Sequence, residues 1–383
     1  MLDGIVTWAE IDLDAIAENV RAIKQHIGDR VELIAVVKAN AYGHGAVPVA
    51  HAALQAGATR LAVHRMTEGI ELRQAGISAP IIIMGYTPPS GVEQIIQWNL
   101  TPSLITLEFA ESLSSLASSK GIQIPAHIKV DTGMNRYGIL PPEVLGFSQS
   151  LLRLPGLFLE GLFTHFATAD WNEQVFIRRQ LAVFNDVVAV LQANHIEIPI
   201  LHAANSATTF RLPDAHFNAV RIGIAMYGLD PSDEWSPVFE IRPALTMKSL
   251  VSRVRDIPAG VGISYGRTYI TEKAIRVALV PTGYGDGFHR ILSNKGEVLI
   301  RGKRAPILGR ICMDQFVVDI SGIPCVKQDD EVVIIGRQGE DTIRAEEIAR
   351  LAGTINYEVT TSLLPRVTRV YLRNGEMVSQ FNP

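Results

Sequence analysis

Short apolar runs recur along the first 230 residues: ELIAVVK (32–38), RLAVHR (60–65), PIIIMGY (80–86), TPSLIT (101–106), AHIKVD (126–131), FLEGLFTHF (158–166), IPILHAANS (198–206) and AVRIGIAMYG (219–228). Each is too short and too β-branched for a buried helix. Their near-continuous apolar character predicts strands buried on both faces, as in a parallel sheet. Stretches with helical spacing lie between them. AVPVAHAALQAG ends at a glycine, TEGIELRQAG opens on a threonine of capping type and also stops at glycine, and FIRRQLAVFNDVVAVLQANH is strongly amphipathic. The connection after the seventh run has the weakest helical pattern. Eight β-then-α repeats match the size of a TIM (β/α)8 barrel. A doubly wound open sheet is the competing arrangement, and eight repeats favour closure, which removes the edge strands.

After Pro243 the pattern changes. LTMKSLVSRVRDI, IRVALVPTGYG, GEVLIRGKRAPILG, CMDQFVVDI and DEVVIIGR alternate or run apolar between Gly, Pro and Asp, and only AEEIARLAG (345–353) has helical spacing. This predicts a mainly antiparallel β domain over 241–383, following a barrel over 1–240 whose first ten or so residues are candidates to pair with the second domain.

Composition narrows the class rather than the fold. A chain 47% hydrophobic and 19% charged is ordinarily globular, and a formal charge of −4 gives no electrostatic case for nucleic acid or an anionic membrane. The N-terminal segment lacks the basic start and apolar core of a signal peptide, and no apolar run reaches the ~18 residues of a membrane span. Two cysteines, Cys312 and Cys325, make no disulfide framework, so a cytoplasmic setting is expected. No His/Cys/Asp cluster has metal-ligand spacing, and no catalytic metal is expected.

In a barrel, chemistry collects at the C-terminal strand ends. Those ends carry Lys38, His64 with Arg65, Tyr86, Lys129 with Asp131, His165, Asn205 with Ser206, and Arg221 with Gly223. Lys38 closes an apolar run, where a lysine is either solvated at the strand mouth or held in a dry pocket that lowers its pKa and makes it a nucleophile. Arg221, Gly223 and Ser206 fall where this fold often binds phosphate.

The run AVVKANAYGHG (35–45) resembles the pyridoxal-phosphate attachment signature of alanine racemases. KVDTGMNRYG, THFATAD, HAANSA, VRIGIAMYG, VGISYGRTY, PTGYGDGFHR, GRICMDQ and INYEV are similar to further segments of that family, in order and across both domains. The resemblance implies a pyridoxal 5′-phosphate enzyme interconverting L- and D-alanine for cell-wall synthesis. Lys38 would bind the cofactor covalently and serve as one catalytic base, with Tyr265 of another subunit as the second. Tyr42, Ser206, Gly223, Ile224 and Tyr357 would hold the phosphate. Arg221 would face the pyridine nitrogen, with His165 behind the ring or orienting Arg221. Arg136 would lie on the phenolic-oxygen side and Met313 would help hold the substrate carboxylate. Lys129 resembles a lysine that many members carbamylate, its new charge then pairing with Arg136. A head-to-tail homodimer with shared active sites follows from the role of Tyr265.

These residue types suit racemisation. A proton leaves one face of Cα and returns to the other, so two opposed bases are economical. A guanidinium stays protonated and leaves the pyridine uncharged, which disfavours the decarboxylation or transamination that an acidic partner would promote. His64 and Arg65, Ile222 and Gly285 depart from the usual family pattern without removing a catalytic group. A serine or broad-range racemase is the first alternative, since a one-methylene difference yields only ~1–3 kcal/mol of discrimination. A decarboxylase of the same fold and a non-catalytic cofactor-binding protein are further ones, opposed by Arg221 and by the complete β domain.

Overall fold

The computed structural model describes residues 4–381. The chain divides into two compact units. One comprises Ile16–Ala41 and Ala46–Arg242; the other takes the N-terminal segment through Ala15, the short segment Tyr42–Gly45, and everything from Pro243.

Numbering strands along the chain, β1 is Thr7–Asp12 and belongs to the second unit. The first unit holds β2 (Glu32–Val36), β3 (Arg60–Val63), β4 (Ile81–Ile83), β5 (Thr101–Leu104), β6 (Ile124–Lys129), β7 (Leu157–Phe163), β8 (Ile200–His202) and β9 (Ala219–Ile222). They pair in parallel in the order β8-β7-β6-β5-β4-β3-β2-β9, and Arg221 N–H donates to the Ala204 carbonyl at 3.0 Å, drawing the two ends of the path together. This is the expected barrel, and its strands lie where the apolar runs do. Leu33, Ile34, Leu61, Ile81 and Phe163 are fully buried, each such side chain stabilising the fold by roughly 1.5–3 kcal/mol.

Two local features differ from a plain reading of the sequence, the first an expectation that needs correction. Thr67 does not cap the helix Met66–Gln74; it sits inside the first turn. Glu68 does the capping, its carboxylate accepting from the backbone N–H groups of His64 and Arg65, both at 2.8 Å, and of Ala39 at 2.7 Å. A carboxylate satisfies several orphan donors and favours the positive helix end, which a hydroxyl does less well. The second departure is in β7. Ala126 pairs with Leu159 but His127 pairs with Gly161, so Glu160 is an extra residue in a β-bulge.

The second unit is the mainly antiparallel domain expected. Its long sheet contains β10 (Leu245–Leu250), β11 (Arg253–Ile257), β14 (Ile275–Val280), β15 (Glu297–Ile300), β16 (Lys303–Leu308), β17 (Phe316–Asp319), β18 (Glu331–Gln338), β19 (Asp341–Ile343), β20 (Thr368–Arg373) and β21 (Glu376–Phe381), while β12 (Gly262–Ile263) and β13 (Tyr269–Ile270) pair separately. β1 lies between β10, antiparallel to it, and β20, parallel to it. The helix expected at 345–353 is present as Ala345–Ala352, but it is not alone: Asn356–Thr361 forms a second short helix carrying Tyr357. The strand pair β20–β21 went unread in the sequence because EMVSQF is exposed throughout and has no apolar face.

Candidate active site

Lys38 follows β2 after one residue, Val37. Beyond it the chain turns the unusual way: Ala39, Asn40, Ala41 and Tyr42 all have φ between +51° and +54°. This is a left-handed turn made without glycine, costing roughly 1–2 kcal/mol per residue. Strain of this kind persists where surrounding structure over-determines it, and it gathers at functional sites. Ala41 N–H closes the turn onto the Val37 carbonyl at 2.9 Å, and Asn40 Oδ1 accepts from Ala46 N–H at 2.8 Å. Burial first, and the Arg136 charge second, push the Lys38 amine below its ordinary pKa, against an opposing pull from Glu68. Lys38 is half-buried, and its lowered amine favours the dry-pocket reading over the solvated one.

Arg221, the third residue of β9, is buried in the barrel. Its Nη1 donates to His202 Nδ1 at 3.0 Å and to the His202 carbonyl at 2.7 Å. Its Nη2 donates to the carbonyls of Thr164 (2.7 Å) and Ala203 (3.0 Å), with His165 Nδ1 at 3.2 Å. Both terminal nitrogens are thus engaged, while Nε donates to no protein atom among the described residues. Burial lowers the guanidinium to about 9, which still leaves it protonated near neutrality. Burial and the Arg221 charge hold His165 neutral.

Ser206 begins the short helix Ser206–Arg211, capped by Asn205 Oδ1 onto Thr208 N–H at 3.0 Å. Ser206 Oγ accepts from Gly223 N–H at 3.0 Å and Ala225 N–H at 3.4 Å, fixing the turn that contains Ile224. Lys129 ends β6 and is buried, with Nζ 3.6 Å from the Tyr137 ring centroid. Burial, then the charges of Arg136 and Arg221, lower its amine to about 7. Arg136 stands exposed in the 131–138 loop, which Asp131 Oδ1 shapes by accepting from the N–H groups of Gly133, Met134 and Asn135. The barrel unit therefore assembles Lys38, Lys129, Arg136, His165, Ser206, Arg221, Gly223 and Ile224 at its strand ends.

The second unit carries the other four candidates. Tyr42 is buried, its ring centroid 6.0 Å from that of Tyr357, and burial raises its phenol well above the ordinary value. Tyr265 is 72% exposed, on a turn strained at Ser264 (φ +62°) and Arg267 (φ +48°). Ser264 anchors that turn by donating to the Arg310 carbonyl at 2.5 Å. Met313 is exposed, and its carbonyl accepts from Gly285 N–H at 2.8 Å.

Sequence reasoning passed over three residues of the barrel interior: His202, which binds Arg221, and His127 and Glu160 beyond it. His202 was visible in the segment HAANSA, but nothing local told its partner.

The barrel-side residues fit pyridoxal phosphate. A depressed lysine amine suits covalent attachment, a guanidinium with one unspent N–H suits an aromatic nitrogen acceptor, and a serine-anchored glycine turn suits a phosphate.

The alanine racemase N-terminal domain model matches residues 11–231 and the C-terminal domain model matches 244–371. An alanine racemase of Carboxydothermus hydrogenoformans is 47% identical over 370 residues, covering 95% of this chain and 99% of that protein. One from Halothermothrix orenii is 44% identical over 365 residues, covering 95% and 96%. Among solved structures, the Bacillus anthracis alanine racemase with bound L-Ala-P superposes with a TM-score of 0.93 at 44% identity, covering 98% of this chain and 97% of that one.

Proposed function

The chain belongs to the alanine racemase family, whose members are pyridoxal-phosphate-dependent isomerases, and on that premise we propose that it interconverts L- and D-alanine by two-base exchange of the Cα proton. The observation that carries this reading is Arg221: every hydrogen on its terminal nitrogens is engaged, and Nε alone is left to donate.

Bound pyridoxal phosphate supplies an electrophilic carbon for an amino group and a ring that draws electrons from Cα. The division of labour lies in the protein. Segment 1–240 supplies most of the cofactor contacts, and 241–383 supplies the opposing base together with Tyr357 for the phosphate and Met313 for the substrate. Lys38 anchors the cofactor through its amine and exchanges the proton on one face of Cα. The partner subunit's Tyr265 serves the other face, and its exposure in the single chain supports that placement. Arg221 holds its proton on Nε against the ring nitrogen, which limits how far the ring withdraws charge and keeps the chemistry at proton exchange. His165 keeps Arg221 turned. Ser206, Gly223, Ile224, Tyr42 and Tyr357 hold the phosphate; Arg136 and Met313 hold the substrate side. Lys129, lowered to about 7, is substantially neutral at physiological pH, the form that bonds to CO2 and releases a proton. The resulting carbamate then pairs with Arg136. His64 and Arg65, following β3, alter the electrostatics of the barrel mouth and broaden the substrate range. The product D-alanine serves cell-wall synthesis in the cytoplasm.

The test of the shared site is mixing. A Lys38→Ala chain and a Tyr265→Ala chain, each inactive, should together regain part of the alanine racemisation read by chiral chromatography. No recovery in verified heterodimers refutes the active site shared between the two subunits.

A further inference from the structure

Inside the barrel lies a set of buried polar side chains to which the reaction above gives no part. His127, fourth residue of β6, is fully buried. Its Nδ1 lies 2.8 Å from His202 Nε2, and its Nε2 lies 3.1 Å from Glu160 Oε2. His202 reaches Arg221 through its other nitrogen. Glu160 Oε1 accepts from Arg60 Nη1 at 3.1 Å, and Arg60 Nε donates to Glu32 Oε2 at 2.9 Å. Glu32 and Arg60 are the first residues of β2 and β3. One unbroken chain of hydrogen bonds therefore runs through the barrel from its N-terminal strand ends to Arg221.

The two ends set its direction. Arg221 can only donate, so His202 Nδ1 is bare and His202 Nε2 carries the hydrogen. His127 Nδ1 must then accept, leaving Nε2–H to donate to a carboxylate. Both rings are neutral, as burial requires of them. Burial alone would raise Glu160, but the bond from His127 and the charge of Arg60 more than offset it and hold the carboxylate below its ordinary range.

The backbone makes room for this arrangement. The β-bulge is what takes Glu160 out of the strand register. A Cβ on Gly161 would lie 2.2 Å from His127 Nδ1, so only glycine admits the ring there. Phe163 stacks on His202 at 4.8 Å and 12°, fixing its plane.

Building on the racemase reading, we propose that Glu160, acting through His127 and His202, is a positioning residue. Its carboxylate sets both imidazole tautomers so that a bare nitrogen meets Arg221 and keeps Nε free for the cofactor. Glu160→Gln isolates this role. Arg60 is always a donor, so the new amide oxygen must face Arg60 and its NH2 must face His127 Nε2. That turns both tautomers over and sets His202 Nδ1–H against Arg221 Nη1–H.

The experiment is neutron diffraction on the full cofactor-loaded chain, together with kinetics and cofactor absorbance of two variants. Deuterium is expected on Nε2 of both His127 and His202, and in Glu160→Gln on Nδ1 of both. kcat for alanine should fall on the order of tenfold with KM nearly unchanged, the visible spectrum of the bound cofactor should shift, and Glu160→Asp should restore most of the kcat. Alanine racemisation with a deuteron on Nδ1 of either ring in the unaltered chain overturns the proposal alone, as does Glu160→Gln with unchanged kcat and spectrum. Absence of racemisation in the unaltered chain overturns the functional reading and this proposal with it. If Glu160→Gln fails to fold, the tautomers of the unaltered chain still decide.

Discussion

Two arginines are buried in this chain to nearly the same degree, Arg221 in the barrel and Arg369 in the β unit, at 3% and 2% exposure. Arg369 donates only to backbone, and its Nε is spent there: Nη1 donates to the carbonyls of Leu364, Pro365 and Val367, Nη2 to Leu363, and Nε to Gly43. Arg221 engages both terminal nitrogens and leaves Nε, and two of its acceptors are imidazoles rather than carbonyls. A guanidinium whose Nε and terminal nitrogens all donate to carbonyls ties loops together. One held rigidly by its terminal nitrogens, with Nε left over, is built to meet something else. Burial alone does not separate a structural charge from a functional one; a bare Nε between two fully held terminal nitrogens does.

The contrast can be broken by exchange. Arg221→Lys keeps a positive charge but loses the fork, and kcat/KM for alanine should fall by on the order of 10²–10³. Arg369→Lys should leave activity per folded molecule within about twofold; an equal loss there would erase the distinction. Stability should respond the other way round. Arg369→Met strands several buried carbonyls, each unsatisfied group costing about 1–3 kcal/mol, so denaturant titration should show a loss of roughly 3 kcal/mol or more.

A smaller effect sharpens the barrel side. Ser206→Ala removes the acceptor of two backbone N–H groups in the Gly223 turn, and fluorescence titration should show pyridoxal phosphate affinity weakened by on the order of tenfold. The smallest concerns a third buried cation. Lys129 finds the face of Tyr137 but no hydrogen-bond acceptor among the described residues. Its amine sits at about 7 in the folded chain, below the ordinary 10.5. Between those two values the unfolded chain holds the proton and the folded chain does not, so this group makes stability rise with pH across that window. In CO2-free buffer, Lys129→Met should flatten the rise. An unchanged pH profile of the unfolding free energy would show that Lys129 is not desolvated in this way.

The eight barrel strands were legible because a parallel strand buried on both faces is apolar almost without interruption, as ELIAV is. Lys38, His165 and Arg221 were legible because an ionisable group closing such a run has few packing reasons to be there. His127 and Glu160 were not, because they lie mid-strand and their meaning depends on a bulge that shifts register by one residue. Polarity in the middle of FLEGLFTHF gives no sign of which way Glu160 points. Thr67 misled for a related reason: hydroxyl capping is the commoner choice, and only the fold shows that Glu68 reaches back to three amides. Tyr357 was named from the resemblance, while its short helix has too few residues for a period to show.

The left-handed turn after Lys38 bears on how this enzyme would answer selection for heat resistance. Ala39 and Ala41 hold a backbone conformation that glycine adopts freely, and each replacement should lengthen the half-life on heating by relieving up to about 1 kcal/mol. The same replacements loosen the segment that follows the Lys38 amine. A thermostability screen would therefore find its gains within three residues of Lys38, and read them as slower turnover at moderate temperature.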